Sequence, residues 1–146
     1  MSTDRPIVHP TDFSRASEAA FLRAIDMAKR DGAELVLVHV LEPLSPFLAD
    51  SSAAHYQELQ ASREAKARLS LERMLTRAKR AGVAASDVLL EGSPAEKIVP
   101  VAKKRRAGLI VMGTRGRTGL EKILLGSVAE RVIGLAPCSV LTVRGR

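Results

Sequence analysis

The sequence predicts an open, doubly wound parallel sheet of five strands with helices on both faces. Short aliphatic runs and helical stripes alternate along the whole chain in the order βαβαβαβαβ. The clearest strand, Leu35-Val36-Leu37-Val38, shows no polar alternation, as expected of a strand buried on both faces and therefore parallel. Right-handed crossovers through the intervening helices then wind the sheet in both directions.

The first strand is the short β-rich run Arg5-Pro6-Ile7-Val8-His9, stopped by Pro10-Thr11-Asp12. Ser14 is placed to cap a helix over residues 15–30, whose Phe21, Ala24, Ile25 and Ala28 form one apolar stripe. Gly32 ends that helix in the left-handed conformation that glycine adopts without a Cβ clash. Residues 33–40 form the second strand, and Leu41-Glu42-Pro43 closes it. Residues 44–54 read as a loop before a long polar-rich helix over 56–81, with Leu71, Met74, Leu75 and Ala78 on one side.

Residues 86–92 form a third, more exposed strand. Ser93, Pro94 and Glu96 then spell a helix start, with a cap, a proline at the first position and a capping box. Ala95, Ile98, Val99 and Ala102 make its stripe, and Pro100 is expected to kink or shorten it. Residues 109–112 are the fourth strand. Ser127 to Leu135 is the fourth helix, with Ala129, Val132, Ile133 and Ala136 aligned, and Ser139 to Val143 the fifth strand.

The bulk properties narrow the function. A chain of 146 residues fits one domain over 1–146, with an aliphatic core because aromatics make up only 3%. One cysteine gives no internal disulfide and fits a reducing, cytoplasmic setting; no apolar run approaches a membrane span. The net charge of +7 calls for an acidic partner. However, the basic runs Arg77-Lys79-Arg80 and Lys103-Lys104-Arg105-Arg106 sit at helix C-termini, where cations complement the helix dipole. With so few aromatics to stack bases, nucleic acid is an unlikely partner.

The chemistry concentrates after the fourth strand. Gly113-Thr114-Arg115-Gly116-Arg117-Thr118-Gly119 follows Leu109-Ile110-Val111-Met112 and leads, through Gly126-Ser127, into a helix N-terminus. A strand, a glycine-rich turn and a helix start together bind phosphate through backbone N–H groups and the helix dipole. The glycines 113, 116 and 126 are expected to take positive φ. The spacing, Gly-x2-Gly-x9-Gly-Ser, is neither a P-loop, because no Gly-Lys-Ser or Gly-Lys-Thr occurs, nor the dinucleotide fingerprint, because His9-Pro10-Thr11-Asp12 carries no glycine. In a doubly wound sheet ligands sit beyond the carboxyl ends of the strands where the winding reverses, so contacts are expected from Pro10-Thr11-Asp12, Val40-Leu41 and Met112-Gly113.

With that loop the chain resembles the universal stress protein family, in its ATP-binding branch. The likeness spans essentially the whole sequence: Pro10-Thr11-Asp12-Phe13-Ser14, Val38-His39-Val40, Glu91-Gly92-Ser93-Pro94, Val111-Met112-Gly113-Thr114-Arg115-Gly116, Gly126-Ser127-Val128 and Pro137-Cys138-Ser139-Val140-Leu141. The resemblance implies a Rossmann-like, adenine nucleotide alpha hydrolase-like fold binding ATP with Mg2+. It places Pro10, Thr11 and Asp12 near the ribose or a phosphate-bound metal, the Val40 backbone at the adenine, and Met112 and Gly113 beside the ribose. Arg115, Gly116, Gly126, Ser127 and Val128 surround the phosphates; Arg117 and Lys122 read either as exposed loop charges or as contacts to a triphosphate tail, which would extend toward them. It also implies a homodimer through the last strand, residues 138–143, and a regulatory role in stress survival with little or no ATP turnover.

Simpler roles stand beside these. Ser127 with Glu130 reads equally as a capping box, and Asp12 as a turn residue or helix cap. His39 and His9 read as hydrogen-bonded core histidines and Cys138 as a small packed apolar residue, since no base accompanies it. Slow hydrolysis or phosphotransfer, and binding of AMP or cyclic AMP, are the alternatives to a regulatory ATP-binding module.

Overall fold

The computed structural model describes residues 5–44, 52–114 and 125–145. Five strands, β1 (Ile7–Pro10), β2 (Leu35–Leu41), β3 (Ala85–Glu91), β4 (Leu109–Gly113) and β5 (Ser139–Val143), alternate with four helices. These are α1 (Arg15–Asp31), α2 (Ala53–Arg80), α3 (Pro94–Lys104) and α4 (Ser127–Leu135). The sheet is wholly parallel in the order β3-β2-β1-β4-β5, as the buried strand pattern requires.

Strand alternation builds a core on each face. Leu35 and Leu37 turn to one side and pack with Phe21, Ala24 and Ala28 of α1 and Leu71, Met74 and Ala78 of α2. Val36, Val38 and Val40 turn to the other side and meet Ala95, Ile98 and Ala102 of α3 and Ala129 and Val132 of α4. The predicted stripes therefore hold, except that Val99 is only half-buried and outside both cores, and Ile133 is 46% exposed and faces away from the sheet. β3 lies at an edge and is only half-buried.

The helix ends explain themselves locally. Ser14 Oγ accepts from the Ser17 amide at 3.2 Å, and Gly32 closes α1 at φ 64°. α3 does not stop at Pro100: it continues to Lys104, and the proline is exposed. Ser93 stands at the predicted cap position, but its side chain makes no capping bond, so the Ser93–Glu96 box is not formed.

The winding reverses between β1 and β4. These strands pair only at Ile7↔Leu109 and Val8↔Ile110, while β1–β2 pairing continues to Pro10↔Val38 and β4–β5 pairing to Gly113↔Val143. Beyond Val8 the two central strands part and open a crevice at the carboxyl edge. At the fork the His9 side chain replaces a sheet bond, its Nδ1–H donating to the Val111 carbonyl at 2.8 Å.

Candidate functional site

A cavity of about 720 Å³ occupies this crevice. Its walls come from the ends of β1, β2 and β4, the first turn of α4, and the facing sides of α2 and α3. That volume lies within the range of small-molecule sites. Pro10, Thr11, Asp12, Val40, Met112, Gly113, Gly126, Ser127 and Val128 all line it. The topology thus gathers nine sequence-predicted site residues from four separated segments. Arg115, Gly116, Arg117 and Lys122 lie outside the described residues.

The β1–α1 turn is wired to itself. Thr11 Oγ1 accepts from the Phe13 amide at 3.0 Å and from Ser17 Oγ at 2.8 Å, and Asp12 Oδ1 accepts from the Ser14 amide at 2.9 Å. These bonds hold Phe13 at φ 64°, a left-handed conformation that costs a non-glycine residue about 1–2 kcal/mol. The Phe13 ring in turn packs on His39 with centroids 4.4 Å apart, and His39 Nδ1 donates to the Thr11 carbonyl at 2.7 Å. Asp12 is therefore a turn residue, and it also lines the cavity.

His9 is the hydrogen-bonded core histidine that the sequence reading expects, although it stands next to the crevice. It is fully buried, stacks on Phe21 with centroids 5.7 Å apart, and is not part of the cavity wall. Burial pushes its ring down to about 4, partly offset by the bond to Val111 and by Glu18 and Asp12, so the imidazole is neutral. With Nδ1 donating, Nε2 carries a lone pair that has no partner among the described residues. Cys138 is half-buried, and burial pushes its thiol up, away from nucleophilic use.

Two readings of the glycine segment are corrected. Gly126, not Ser127, is the N-cap of α4, at φ −70° and ψ 159°, and no side chain among the described residues caps the helix. Ser127 is the first helical residue and is exposed, so the Ser127–Glu130 capping box does not form. Nor do Gly113 and Gly126 adopt positive φ; among the described glycines only Gly32, Gly82 and Gly92 do. Gly113 is needed for space: a Cβ there would lie 3.1 Å from the Ala16 carbonyl oxygen and 3.2 Å from its carbon, at the start of α1. The Gly126 amide donates to the Thr114 carbonyl and closes the loop's base.

The consequence is chemical. The first turn of α4 lines the cavity at the positive end of a helix dipole, without a side-chain cap among the described residues, which is a setting for an anion. Beside them Thr114, which the sequence reading passed over, is 8% exposed, and its Oγ1 has no partner among the described residues. A buried hydroxyl left unpaired is costly, so this one suits a ligand oxygen. Among the described residues no cluster of three or more metal-ligating side chains occurs; Asp12 supplies a carboxylate on the opposite wall. Other lining residues that sequence reasoning missed are Phe13, Ser17, Arg63, Lys66, Ser70 and Ile98. The α2 residues among them carried a signal, the helical spacing 63, 66/67, 70, but it lies far from the glycine loop in sequence.

The fold and this crevice define a class: a doubly wound parallel α/β protein with a cavity at the switch point, where proteins of this architecture bind their ligands. The chain belongs to the universal stress protein family, whose family model matches residues 4–144. It is 42% identical over 140 residues to a universal stress protein of Methanocaldococcus jannaschii, covering 96% of this chain and 82% of that one. A solved universal stress protein from Lactobacillus plantarum superposes with a TM-score of 0.84 at 26% identity, over 97% of this chain and 98% of the other. Another, solved in complex with cAMP, superposes at 0.74 and 29% identity, over 97% and 98%. One from Archaeoglobus fulgidus, in complex with dAMP, superposes at 0.70 and 25% identity, over 98% and 99%. Among the described residues no helix is long and apolar enough to cross a membrane.

Proposed function

We propose that the chain is an ATP-binding universal stress protein, a regulatory module whose conformation or assembly responds to the nucleotide and which turns over little or none of it. The observation that carries this reading is the juxtaposition across one cavity of the Asp12 turn and the uncapped start of α4. In this reading the Val40 backbone meets adenine, Met112 and Gly113 flank the ribose, and Ser127 and Val128 present amides to the phosphates, with Gly126, whose own amide is bound to the Thr114 carbonyl, leaving room beside them. Asp12 faces a Mg2+ carried by the nucleotide, which would neutralise phosphate charge. Three or four charge-assisted hydrogen bonds at about 1.5–3 kcal/mol each, less association costs, leave room for the roughly 8 kcal/mol of a micromolar site.

Binding of cyclic AMP or AMP is the second reading, favoured by the complexes of relatives with cAMP and dAMP. Pairing of two chains through β5, the other edge strand of the sheet, remains part of the proposal.

The test is to purify the protein without added nucleotide, denature it and identify what is released, alongside thermal shifts with ATP, AMP and cyclic AMP. Released or stabilising ATP supports the first reading, and a response to AMP or cyclic AMP alone supports the second. No released nucleotide and no shift at millimolar concentration rejects both. Phosphate release at the no-protein background rejects a hydrolase, and sustained multiple turnover rejects the reading of little or no turnover.

A further inference from the structure

The cavity has two unlike sides. Strand alternation turns Val38 and Val40 toward α3 and α4, and His39 toward α1 and α2. Over this second side stands the middle of α2, where Arg63, Lys66, Ala67 and Ser70 line the cavity along one helical stripe. Apart from Ala67, each of these side chains is a hydrogen-bond donor.

Arg63 is held in place before any ligand arrives. Its Nη1 donates to Gln60 Oε1 at 3.0 Å and its Nη2 to the Glu42 carbonyl at 2.6 Å, while Gln60 Nε2 donates to Glu91 Oε1 at 3.0 Å. This chain of bonds ties α2 to the ends of β2 and β3 and employs two of the five guanidinium N–H groups. No ion pair of Arg63 or Lys66 with a carboxylate is formed among the described residues. Of the acidic residues in the wall, Glu42 is exposed, and Asp12 belongs to the β1–α1 turn. Two cations three residues apart on one helical face repel each other, and a shared anion turns that repulsion into binding.

We propose that the α2 wall is a second phosphate subsite, in which Arg63, Lys66 and Ser70 hold a phosphate group on the side of the cavity away from α4. The subsite rests on the nucleotide reading for its fullest form. The ligand class is then an adenine nucleotide phosphorylated at two ends, one phosphate at the start of α4 and one under α2. Free inorganic phosphate is the other source of the same chemistry.

Calorimetric titration of the full chain with AMP and with adenosine 3′,5′-bisphosphate separates the possibilities. The bisphosphate is expected to bind about tenfold tighter than AMP, the worth of one charge-assisted contact at a partly exposed site. Lys66→Gln should close that gap and Lys66→Arg restore it, the gap being read in each variant as the ratio of its own bisphosphate and AMP affinities. In parallel, inorganic phosphate is titrated into nucleotide-free protein while the Ser70 amide resonance is followed, in wild type and Lys66→Gln. A resonance shift abolished by Lys66→Gln, without a gain for the bisphosphate, assigns the subsite to free phosphate. Neither a bisphosphate gain nor a Lys66-dependent shift overturns the subsite, whether or not AMP binds. Failure of ATP, AMP and cyclic AMP to bind overturns the nucleotide reading instead, and the phosphate titration still decides the subsite.

Discussion

His9 makes the stability of this protein depend on pH in a calculable way. Its ring is neutral and fully buried, with burial lowering it to about 4 from 6.5. The unfolded chain takes up a proton near 6.5, whereas the folded chain resists doing so until about 4. Protons therefore bind the unfolded state more, and stability is intact above the unfolded value and falls as pH drops toward the folded one. Between pH 8 and pH 4.5 the two values give a loss of about 2.5 kcal/mol from this residue. The assay is urea unfolding at both pH values for the wild type and for His9→Asn, whose amide can still donate to the Val111 carbonyl. The variant should be less stable at pH 8, since it leaves space beside Phe21, yet lose about 2.5 kcal/mol less than the wild type on acidification. Other titrating groups contribute alike to both proteins and cancel in the difference. Equal losses in the two proteins would refute a buried neutral His9.

Other perturbations follow from the same geometry. Gly113→Ala should lower stability by about 1–3 kcal/mol, read by thermal melting, because the added Cβ meets the backbone of α1 and not a movable side chain. Gly32→Ala has open space around it but must hold φ 64°, so a smaller loss of about 1 kcal/mol is expected. Thr114→Val removes a buried hydroxyl that has no partner among the described residues; it should stabilise the nucleotide-free protein by about 1 kcal/mol while weakening ATP binding, and unchanged affinity would mean that the hydroxyl does not reach the ligand. Arg77 pairs with Glu18 and lies over the Phe21 ring, 4.8 Å from its centroid. Because that pair is nearly half exposed, Arg77→Ala should cost no more than about 1 kcal/mol, and less in high salt.

The fold was legible because its signals are local and repeated. Leu35 to Val38 declared a two-face buried strand, the stripe from Phe21 to Ala28 declared a core-facing helix, and the glycine at 32 marked its end. The site was legible where strand ends carry it, since topology alone brings Asp12, Val40 and Gly113 to one edge. Three kinds of feature were not. Capping motifs at Ser93 and Ser127 have the right spacing, but spacing does not show whether a side chain turns toward its amide or where the first helical residue falls. Gly113 looked like a φ requirement, whereas its need for glycine comes from Ala16, nearly a hundred residues away in sequence. The α2 wall was invisible for the same reason: Arg63, Lys66 and Ser70 read as a solvated helix face until the sheet places them over β2.

The central claim is that the uncapped start of α4 receives the phosphates of ATP, and Ser127→Pro tests it most directly. Residue 127 is the first position of the helix, where proline is tolerated, and Gly126 before it already has the extended conformation that a following proline favours. The substitution thus deletes an amide donor and a hydroxyl from the cavity wall and leaves the helix standing. Calorimetric titration with Mg-ATP should give a micromolar dissociation constant for the wild type and one at least about tenfold weaker for Ser127→Pro, with melting temperatures nearly equal. Equal affinities in the two proteins would place the phosphates elsewhere, and no heat of binding in the wild type would contradict the account altogether.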